Sequence, residues 1–242
     1  ADAPPANPRW LKRLGLFYVC AILIALAGAS ILFYQISKAT PTDPSAIEVK
    51  VARFSEHAEY KTSPPTSLEK AIRVQLPHRI DHMLRSPGGF FWYEFDFTAL
   101  PESRLEALYI PRFAMNAEVY LNGERIAFFG PMTGEFAERN WNRPQIVNLG
   151  PNVVQTGQNT VAIQVRAFPD YLAGLSTVWL GSDENLREAY RSRYEVQVTS
   201  VYLSTAFVLG AGIVLTILIG MGKSRSVLLM LLASTCFLWG VR

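Results

Sequence analysis

Cysteine is scarce in this chain of 242 residues, where Cys20 and Cys236 both lie in strongly hydrophobic stretches. The long polar segment between those stretches contains no cysteine, which excludes a disulfide framework as the source of its stability. A segment of that size does not need disulfides, because a domain of about 150 residues buries about 70% of the surface of its unfolded chain. We therefore expect an ordinary hydrophobic core there.

Charged residues are also few, at 18% of the chain, against about a quarter in an ordinary soluble domain. They are missing from residues 14–37, 196–222 and 226–241. At a rise of about 1.5 Å per residue, helices over the first two stretches are long enough to cross a hydrocarbon core about 30 Å thick. The third stretch is marginal in length. The pattern excludes a purely soluble protein and predicts transmembrane helices over 14–37, 196–222 and 226–242.

Basic residues mark the cytoplasmic side of these spans. Residues 1–13 carry three of them and the loop 223–225 carries two, so the positive-inside rule places both in the cytoplasm. The segment 38–195 then lies outside the cytoplasm. It contains 17 Lys and Arg against 19 Asp and Glu, so the pI near 8.9 comes from the membrane flanks and does not indicate a nucleic-acid partner.

The first stretch has two interpretations. Ala27-Gly28-Ala29 resembles the cleavage site of a signal peptide, and basic residues precede the apolar run. The run continues through residues 31–34, and its length favours an uncleaved anchor. Because the sequence starts without methionine and stops directly after the third apolar stretch, we expect it to be a piece of a longer protein.

Alternation of apolar and polar residues predicts an all-β external domain. The period of two is clear at residues 47–51, 91–97 and 161–165, as in strands with one buried face. Asn122-Gly123 stands between two apolar runs and is a strong hairpin signal, because both residues tolerate positive φ. We expect about eight strands in a sandwich or jelly roll, with further candidate strands at 105–110, 145–149 and 175–180.

Three of these motifs resemble a known family. Residues 91–97, 119–123 and 157–165 follow one another in the order found in galactose-binding-like jelly rolls, such as the sugar-binding domain of family 2 glycoside hydrolases. With membrane helices behind them, they resemble bacterial sensors in which such a domain precedes a seven-helix module of the diverse intracellular signalling type. The resemblance implies a jelly roll over 38–181, a location in the bacterial inner membrane, and a cytoplasmic histidine kinase or diguanylate cyclase as output.

Segment 182–195 connects this domain to the second span and is predicted to be helical. Ser182 is a typical N-cap residue, and Asp183 and Glu184 put negative charge where the helix dipole favours it. No proline or glycine follows up to Leu209, which fits one continuous helix that carries motion across the bilayer. The alternative is a short external helix that ends at an interfacial aromatic belt formed by Tyr190, Tyr194 and Tyr202.

Small residues recur every four positions in the second span, at Gly212, Thr216 and Gly220. A stripe of this kind lets helices approach closely. Packing against other helices of the same protein is favoured over a homodimer seam.

Candidates for catalysis and metal binding are weak. Glu94 and Asp96 share a strand face and could be the two carboxylates that a glycosidase needs. The outward face of a sandwich strand is, however, where solvated charges normally lie. His78 and His82 have the spacing of two ligands on one helical face, without identifiable further ligands. We expect no catalytic residue, no metal and no cofactor in this stretch.

Two loops combine aromatic and polar side chains in the manner of small-molecule sites. Guanidinium groups beside an indole suit a carbohydrate or a small carboxylate. In the alternative interpretation, Trp141 anchors its loop on the sandwich while the arginines are solvated or pair with nearby glutamates. The candidate ligand-binding residues are Arg139, Asn140, Trp141 and Arg143 in one loop, with Asp170 and Tyr171 in the other.

Together these features favour a membrane-bound sensor whose external domain binds a ligand and passes the signal through membrane helices. The expected partners are the lipid bilayer, a small-molecule or carbohydrate ligand, further membrane helices of the same protein and a second copy in a homodimer. No nucleic acid is expected. The alternative is a membrane-tethered carbohydrate-binding or assembly module whose helices serve as an anchor.

Overall fold

The computed structural model describes residues 23, 26–36, 38–65, 71–80, 89–134, 138, 140–150, 153–168, 173–221 and 227–240. The strands among them are β1 (Ile47–Val49), β2 (Val51–His57), β3 (Ile72–Gln75), β4 (His78–Ile80), β5 (Phe90–Ala99), β6 (Ala107–Ile110), β7 (Asn116–Leu121), β8 (Glu124–Phe129), β9 (Gln145–Asn148), β10 (Gly157–Arg166), β11 (Ala173–Leu175) and β12 (Val178–Gly181). The helices are α1 (Leu26–Ile36), α2 (Asp183–Tyr194), a π-helical segment (Glu195–Thr199), α3 (Ser200–Met221) and α4 (Val227–Gly240).

Two antiparallel sheets enclose the core. Their strand orders are β1-β12-β6-β9 and β3-β2-β5-β10-β7-β8. Strand β5 shows how the sequence produces these layers, because Phe91, Tyr93 and Phe95 belong to the core cluster while Glu94 and Asp96 alternate onto the opposite face. The described part of segment 38–181 is thus a mainly β sandwich, as the alternation predicts.

The hairpin prediction at Asn122-Gly123 is confirmed. Both residues have positive φ, 52° and 88°, and the turn joins β7 to β8 with Leu121 opposite Glu124. The described residues contain more strands than the eight expected. Short strands such as β4 and β11 pair over three residues each, which is too few for a periodic pattern to show in the sequence.

Helix α2 packs on the outer face of the four-stranded sheet. Leu186 and Ala189 of the helix are buried against Ala107 and Tyr109 of β6. The sheet therefore needs apolar residues on both faces, and all four residues of β6 are buried.

The start of α2 differs from the prediction in one respect. Ser182 occupies the N-cap position, but its side chain makes no capping hydrogen bond. The Asp183 N–H instead donates to Oε2 of Glu106, 3.1 Å away. Asp183 and Glu184 do lie in the first turn, and the carboxylate of Asp183 accepts hydrogen bonds from Arg187 one turn later.

The helix that begins at Asp183 continues to Met221. It passes from α2 through the π-helical segment into α3, so the continuous helix is the correct alternative and the break at the interface does not occur. Among the described residues, this is the one helix long and apolar enough to cross a membrane. The described parts of the other two apolar stretches, α1 and α4, are shorter, and their spans stay predictions.

The small residue at position 212 serves packing between α3 and α4. A Cβ atom on Gly212 would lie 3.1 Å from Cβ of Cys236 and 3.4 Å from the ring of Phe237. A Cβ atom on Gly220 would meet nothing within 4 Å. The favoured interpretation of the stripe, packing against helices of the same protein, therefore holds at Gly212 and stays a prediction at Gly220.

We expect Gly212→Val to weaken the contact between α3 and α4 by about 1–3 kcal/mol, because the added methyl groups overpack a close approach. The matched control is Gly210→Val, since a Cβ atom there meets nothing within 4 Å and the change in helix propensity is the same. The measurement is the thermal unfolding midpoint of the full chain in lipid nanodiscs. Equal midpoints for the two variants would contradict the packing role of Gly212.

Candidate functional site

A cavity of about 690 Å³ opens at the edge of the sandwich, beside the small sheet formed by β4 and β11. Its walls come from five parts of the chain: strands β4 and β11, the segment between β6 and β7, the loop before β9, and the end of α2. Residues from each part line it, among them Arg79, Arg112, Phe113, Trp141, Gly174 and Arg193. We call this cavity the arginine pocket.

Backbone hydrogen bonds fix the wall next to β11. The Ala114 N–H donates to the Gly174 carbonyl at 3.1 Å, and the Ser176 N–H donates to the Arg112 carbonyl at 2.9 Å. The Arg112 N–H returns a bond to Oγ of Ser176 at 3.0 Å. Positions 112–114 are thus held against β11, although they belong to no regular strand.

Gly174 allows the close approach of β11 to β4. Its φ is 154°, and a Cβ atom at this position would lie 2.2 Å from the carbonyl oxygen of His78. No residue with a side chain fits there without moving one of the two strands. Met115, which also lines the pocket, has a φ of 27°, a value that residues other than glycine rarely adopt.

The floor of the arginine pocket is apolar. Phe113, Ala114 and Leu175 line it and are almost fully buried. Trp141 stands at the rim with 46% of its surface exposed. An apolar floor with a few polar groups around it is the usual composition of a small-molecule site.

Three cationic side chains surround this floor: Arg79 of β4, Arg112 of the β6–β7 segment and Arg193 of α2. No aspartate or glutamate belongs to the described lining. Within the described residues, none of the three guanidinium groups forms an ion pair. The ion-paired arginines are elsewhere, at Arg53, Arg104, Arg125 and Arg187.

Arg193 connects the arginine pocket to the helix that is long and apolar enough to cross a membrane. Its Nε atom is buried and has no hydrogen-bond partner in the described structure. Its guanidinium group lies beside the Tyr109 hydroxyl, where burial raises the pKa of Tyr109 to about 12 and Arg193 acts in the opposite direction. Tyr109 therefore stays protonated at neutral pH, and the charge of Arg193 is not neutralised by a phenolate.

His78 is a neutral member of the pocket wall. Burial lowers its pKa below the ordinary value of 6.5, and its Nδ1 lies 3.0 Å from the hydroxyl of Tyr93. The residue is on strand β4, so the helical pairing with His82 expected for a metal site is wrong for His78, and His82 lies outside the described residues. No group of three or more His, Cys, Asp or Glu side chains in the described part of the chain has the geometry to hold a metal ion.

The structure brings one of the predicted ligand-binding residues to the pocket. Trp141 lines it with 46% of its surface exposed, a position that agrees with ligand binding and also leaves about half of the side chain to anchor the loop. Asn140 is buried and accepts the Arg143 N–H in a turn, while the Arg143 side chain donates to the Tyr202 hydroxyl at 3.4 Å. Neither of these two lines the pocket. The other three candidates, Arg139, Asp170 and Tyr171, lie outside the described residues.

The three pocket arginines are not among the ligand-binding residues predicted from the sequence. Arg79, Arg112 and Arg193 are far apart in sequence, and each has ordinary neighbours along the chain. One available signal is the clustering of Arg187, Arg191 and Arg193 just before the apolar stretch that starts at residue 196.

Glu94 and Asp96, the weak candidates for a catalytic pair, are bound to a single arginine. Arg53 donates from Nη2 to Glu94 at 2.5 Å and from Nη1 to Asp96 at 2.7 Å. These hydrogen bonds hold the pKa of Asp96 below its ordinary value, whereas a catalytic acid needs a raised pKa. We interpret the group as structural ion pairing on the outer face of the sheet.

Comparisons with known proteins add little to this geometry. No family model and no curated protein matches the chain. Among solved structures, it is similar to a beta-glucuronidase from an uncultured Clostridium sp., with 17% identity, 60% of this chain and 30% of that chain covered, and a TM-score of 0.42. It is also similar to a beta-glucuronidase from Ruminococcus gnavus, solved in complex with uronic deoxynojirimycin, with 18% identity, coverage of 57% and 29%, and a TM-score of 0.43.

A beta-glycosidase from Bacteroides vulgatus gives similar values, with 16% identity, coverage of 56% and 20%, and a TM-score of 0.42. The chain thus spans 30% or less of the length of these three proteins. With TM-scores below 0.5, no activity or ligand of this chain follows from the similarity.

We expect Gly174→Ala to destabilise the pocket wall by about 1–3 kcal/mol, because it introduces strained backbone at a position where a Cβ atom meets the His78 carbonyl. The matched control is Gly150→Ala, where the added Cβ atom would make an ordinary contact of 3.5 Å with Val153. Thermal unfolding of both variants in nanodiscs measures the difference. A loss of equal size in both would show that the approach of β11 to β4 is unimportant.

A pH dependence of stability follows from His78. Its pKa is lowered by folding, so below about pH 6.5 the unfolded chain binds more protons than the folded one and the free energy of unfolding falls. We expect His78→Gln to reduce this loss of stability at acid pH. The slope of the free energy of unfolding against pH should fall by the equivalent of up to one bound proton. His57 contributes in the same direction, through burial and Lys61, so His57→Gln is measured in parallel. Unfolding midpoints between pH 7.5 and 5 that are identical in wild type and His78→Gln would contradict the assignment.

Proposed function

We propose that this chain is the sensing and transmitting part of a membrane-bound receptor, in which the sandwich binds a ligand in the arginine pocket. The observation that carries the proposal is the position of Arg193. It lines the pocket and belongs to the same continuous helix as the membrane-spanning candidate. A change in the pocket therefore acts directly on a rod that enters the bilayer.

The packing of α2 supports this route. Leu186 and Ala189 pack the helix against β6. The carboxylate of Glu106 accepts a hydrogen bond from the Asp183 N–H in the first turn. Arg193 lies about one turn beyond Ala189, and its guanidinium group is hydrogen-bonded to the Tyr109 hydroxyl of β6. A displacement of Arg193 is thus transmitted toward α3 without being absorbed by a loop, since a packed helix moves as a rigid element.

The finer features of the proposal come from the sequence. They comprise a galactose-binding-like jelly roll over 38–181, an inner-membrane location with segment 38–195 in the periplasm, and further membrane helices beyond residue 242. The output is a histidine kinase or a diguanylate cyclase. These rest on the charge distribution and on the family resemblance. A membrane-tethered binding module is the alternative function.

The direct test of transmission is a distance measurement between the sandwich and the end of α2. Spin labels are placed at Phe128→Cys, exposed on β8, and at Glu195→Cys, in the full-length protein with its native cysteines replaced by alanine. Arg112→Trp fills the pocket from its rim, and we expect it to shift the distance distribution. Arg73→Trp, an exposed position on β3, is the control that leaves the distribution unchanged.

Deletion separates the two candidate functions. A receptor that lacks residues 38–181 loses stimulus-dependent output, whereas a tether loses localisation or partner capture. An unchanged distance distribution in Arg112→Trp, combined with altered output, would contradict transmission through α2.

A further inference from the structure

We propose that the arginine pocket binds a small organic anion, with an oxyanion held by the guanidinium groups and an apolar body on the pocket floor. This inference deepens the proposed function and rests on it for the role of the pocket. It names the chemical class of the ligand, which the sequence leaves open between a carbohydrate and a carboxylate.

The charge of the lining selects an anion. Arg79, Arg112 and Arg193 come from three separate elements and converge on one cavity. Without a ligand, they bring like charges together, an arrangement that costs energy unless something compensates it. Other arginines of the sandwich, such as Arg53 and Arg125, have carboxylate partners at 2.5–2.8 Å. No described carboxylate pairs with the pocket arginines, and a cavity lined in this way favours an anionic ligand.

Hydrogen-bonding capacity distinguishes an anion from a neutral sugar. A guanidinium group donates hydrogen bonds and accepts none, whereas each sugar hydroxyl also needs an acceptor. Carboxylate and phosphate oxygens accept two or more bonds each and match the fork of an arginine.

The floor selects the rest of the ligand. Phe113, Ala114 and Leu175 present carbon atoms, and the Trp141 indole stands at the rim. A ligand that is charged at every end would place one of its charged groups against this apolar floor, where it finds no polar contact. The volume of about 690 Å³ falls within the range of about 300–1,000 Å³ that is typical of small-molecule sites. An aromatic or branched body with one oxyanion fits both conditions.

The test uses four probes with the same apolar body: 1-naphthylacetate, 1-naphthyl phosphate, 1-naphthyl glucoside and 1-naphthylmethylamine. Binding to the full chain in phosphatidylcholine nanodiscs is measured by calorimetry and by Trp141 fluorescence, with Trp141→Phe as the blank for the optical signal. We expect the two anions to bind at least about 10-fold more tightly than the glucoside and the amine, because charge-assisted hydrogen bonds are about twice as strong as neutral ones.

Variants locate the site. Arg112→Gln and Arg193→Gln should each weaken binding of the anions about 10-fold, while the matched control Arg73→Gln, on the exposed edge strand β3, leaves it unchanged. Far-ultraviolet circular dichroism and unfolding midpoints verify that the variants are folded. Equal affinity for the glucoside and the anions, or loss of binding in Arg73→Gln but not in Arg112→Gln, would overturn the proposal.

A further arm identifies the source of the oxyanion. Nanodiscs that contain phosphatidylglycerol compete with 1-naphthyl phosphate if the natural ligand is a lipid headgroup, and do not compete if it is a soluble anion; either result supports oxyanion binding. The inference and the proposed function fail separately. Tight anion binding without movement of the Phe128–Glu195 distance contradicts transmission, whereas movement caused by Arg112→Trp without anion binding contradicts the ligand class.

Discussion

The contact between α2 and the outer face of β6 determines the rest of the arrangement. Leu186 is fully buried there, and burial of one leucine side chain stabilises the contact by about 1.5–3 kcal/mol. Glu106 completes the first turn of the helix from the adjoining edge of the sheet. Because the helix is fixed at this end, the direction of its later turns is also fixed. This direction places Arg193 at the pocket, and the helix continues through the π-helical segment into α3.

The small sheet of β4 and β11 provides another part of the pocket wall. The sandwich buries its core between two sheets, and this pair of strands closes one edge while leaving a cavity against the segment between β6 and β7. Gly174 permits the strands to meet, and the bonds of Ser176 with Arg112 hold the opposite wall. The pocket therefore depends on backbone geometry, and its charge is supplied by side chains from elements that the backbone brings together.

The sequence predicted the parts that depend on local patterns. The alternation in β5 and β10 predicted buried strands, because period two is a property of a few consecutive residues, and Asn122-Gly123 predicted its turn for the same reason. Trp141 was found because polar and aromatic residues cluster around it along the chain. The pocket arginines were not found, because their proximity arises from tertiary packing. The cap of α2 was assigned to Ser182 rather than Glu106, since a side chain 77 residues away from its hydrogen-bond partner leaves no local signal.

The central claim is that the pocket and the long helix from Asp183 to Met221 respond as one unit. Hydrogen–deuterium exchange of the full chain in nanodiscs, with 1-naphthylacetate and with 1-naphthyl glucoside as the neutral comparison, tests it most directly. The account predicts that the anion slows exchange both in segment 112–115 and in segment 195–199, the π-helical segment that follows α2. Slower exchange in segment 112–115 alone would contradict it, because the ligand would then occupy the pocket without any change in the exchange of the helix.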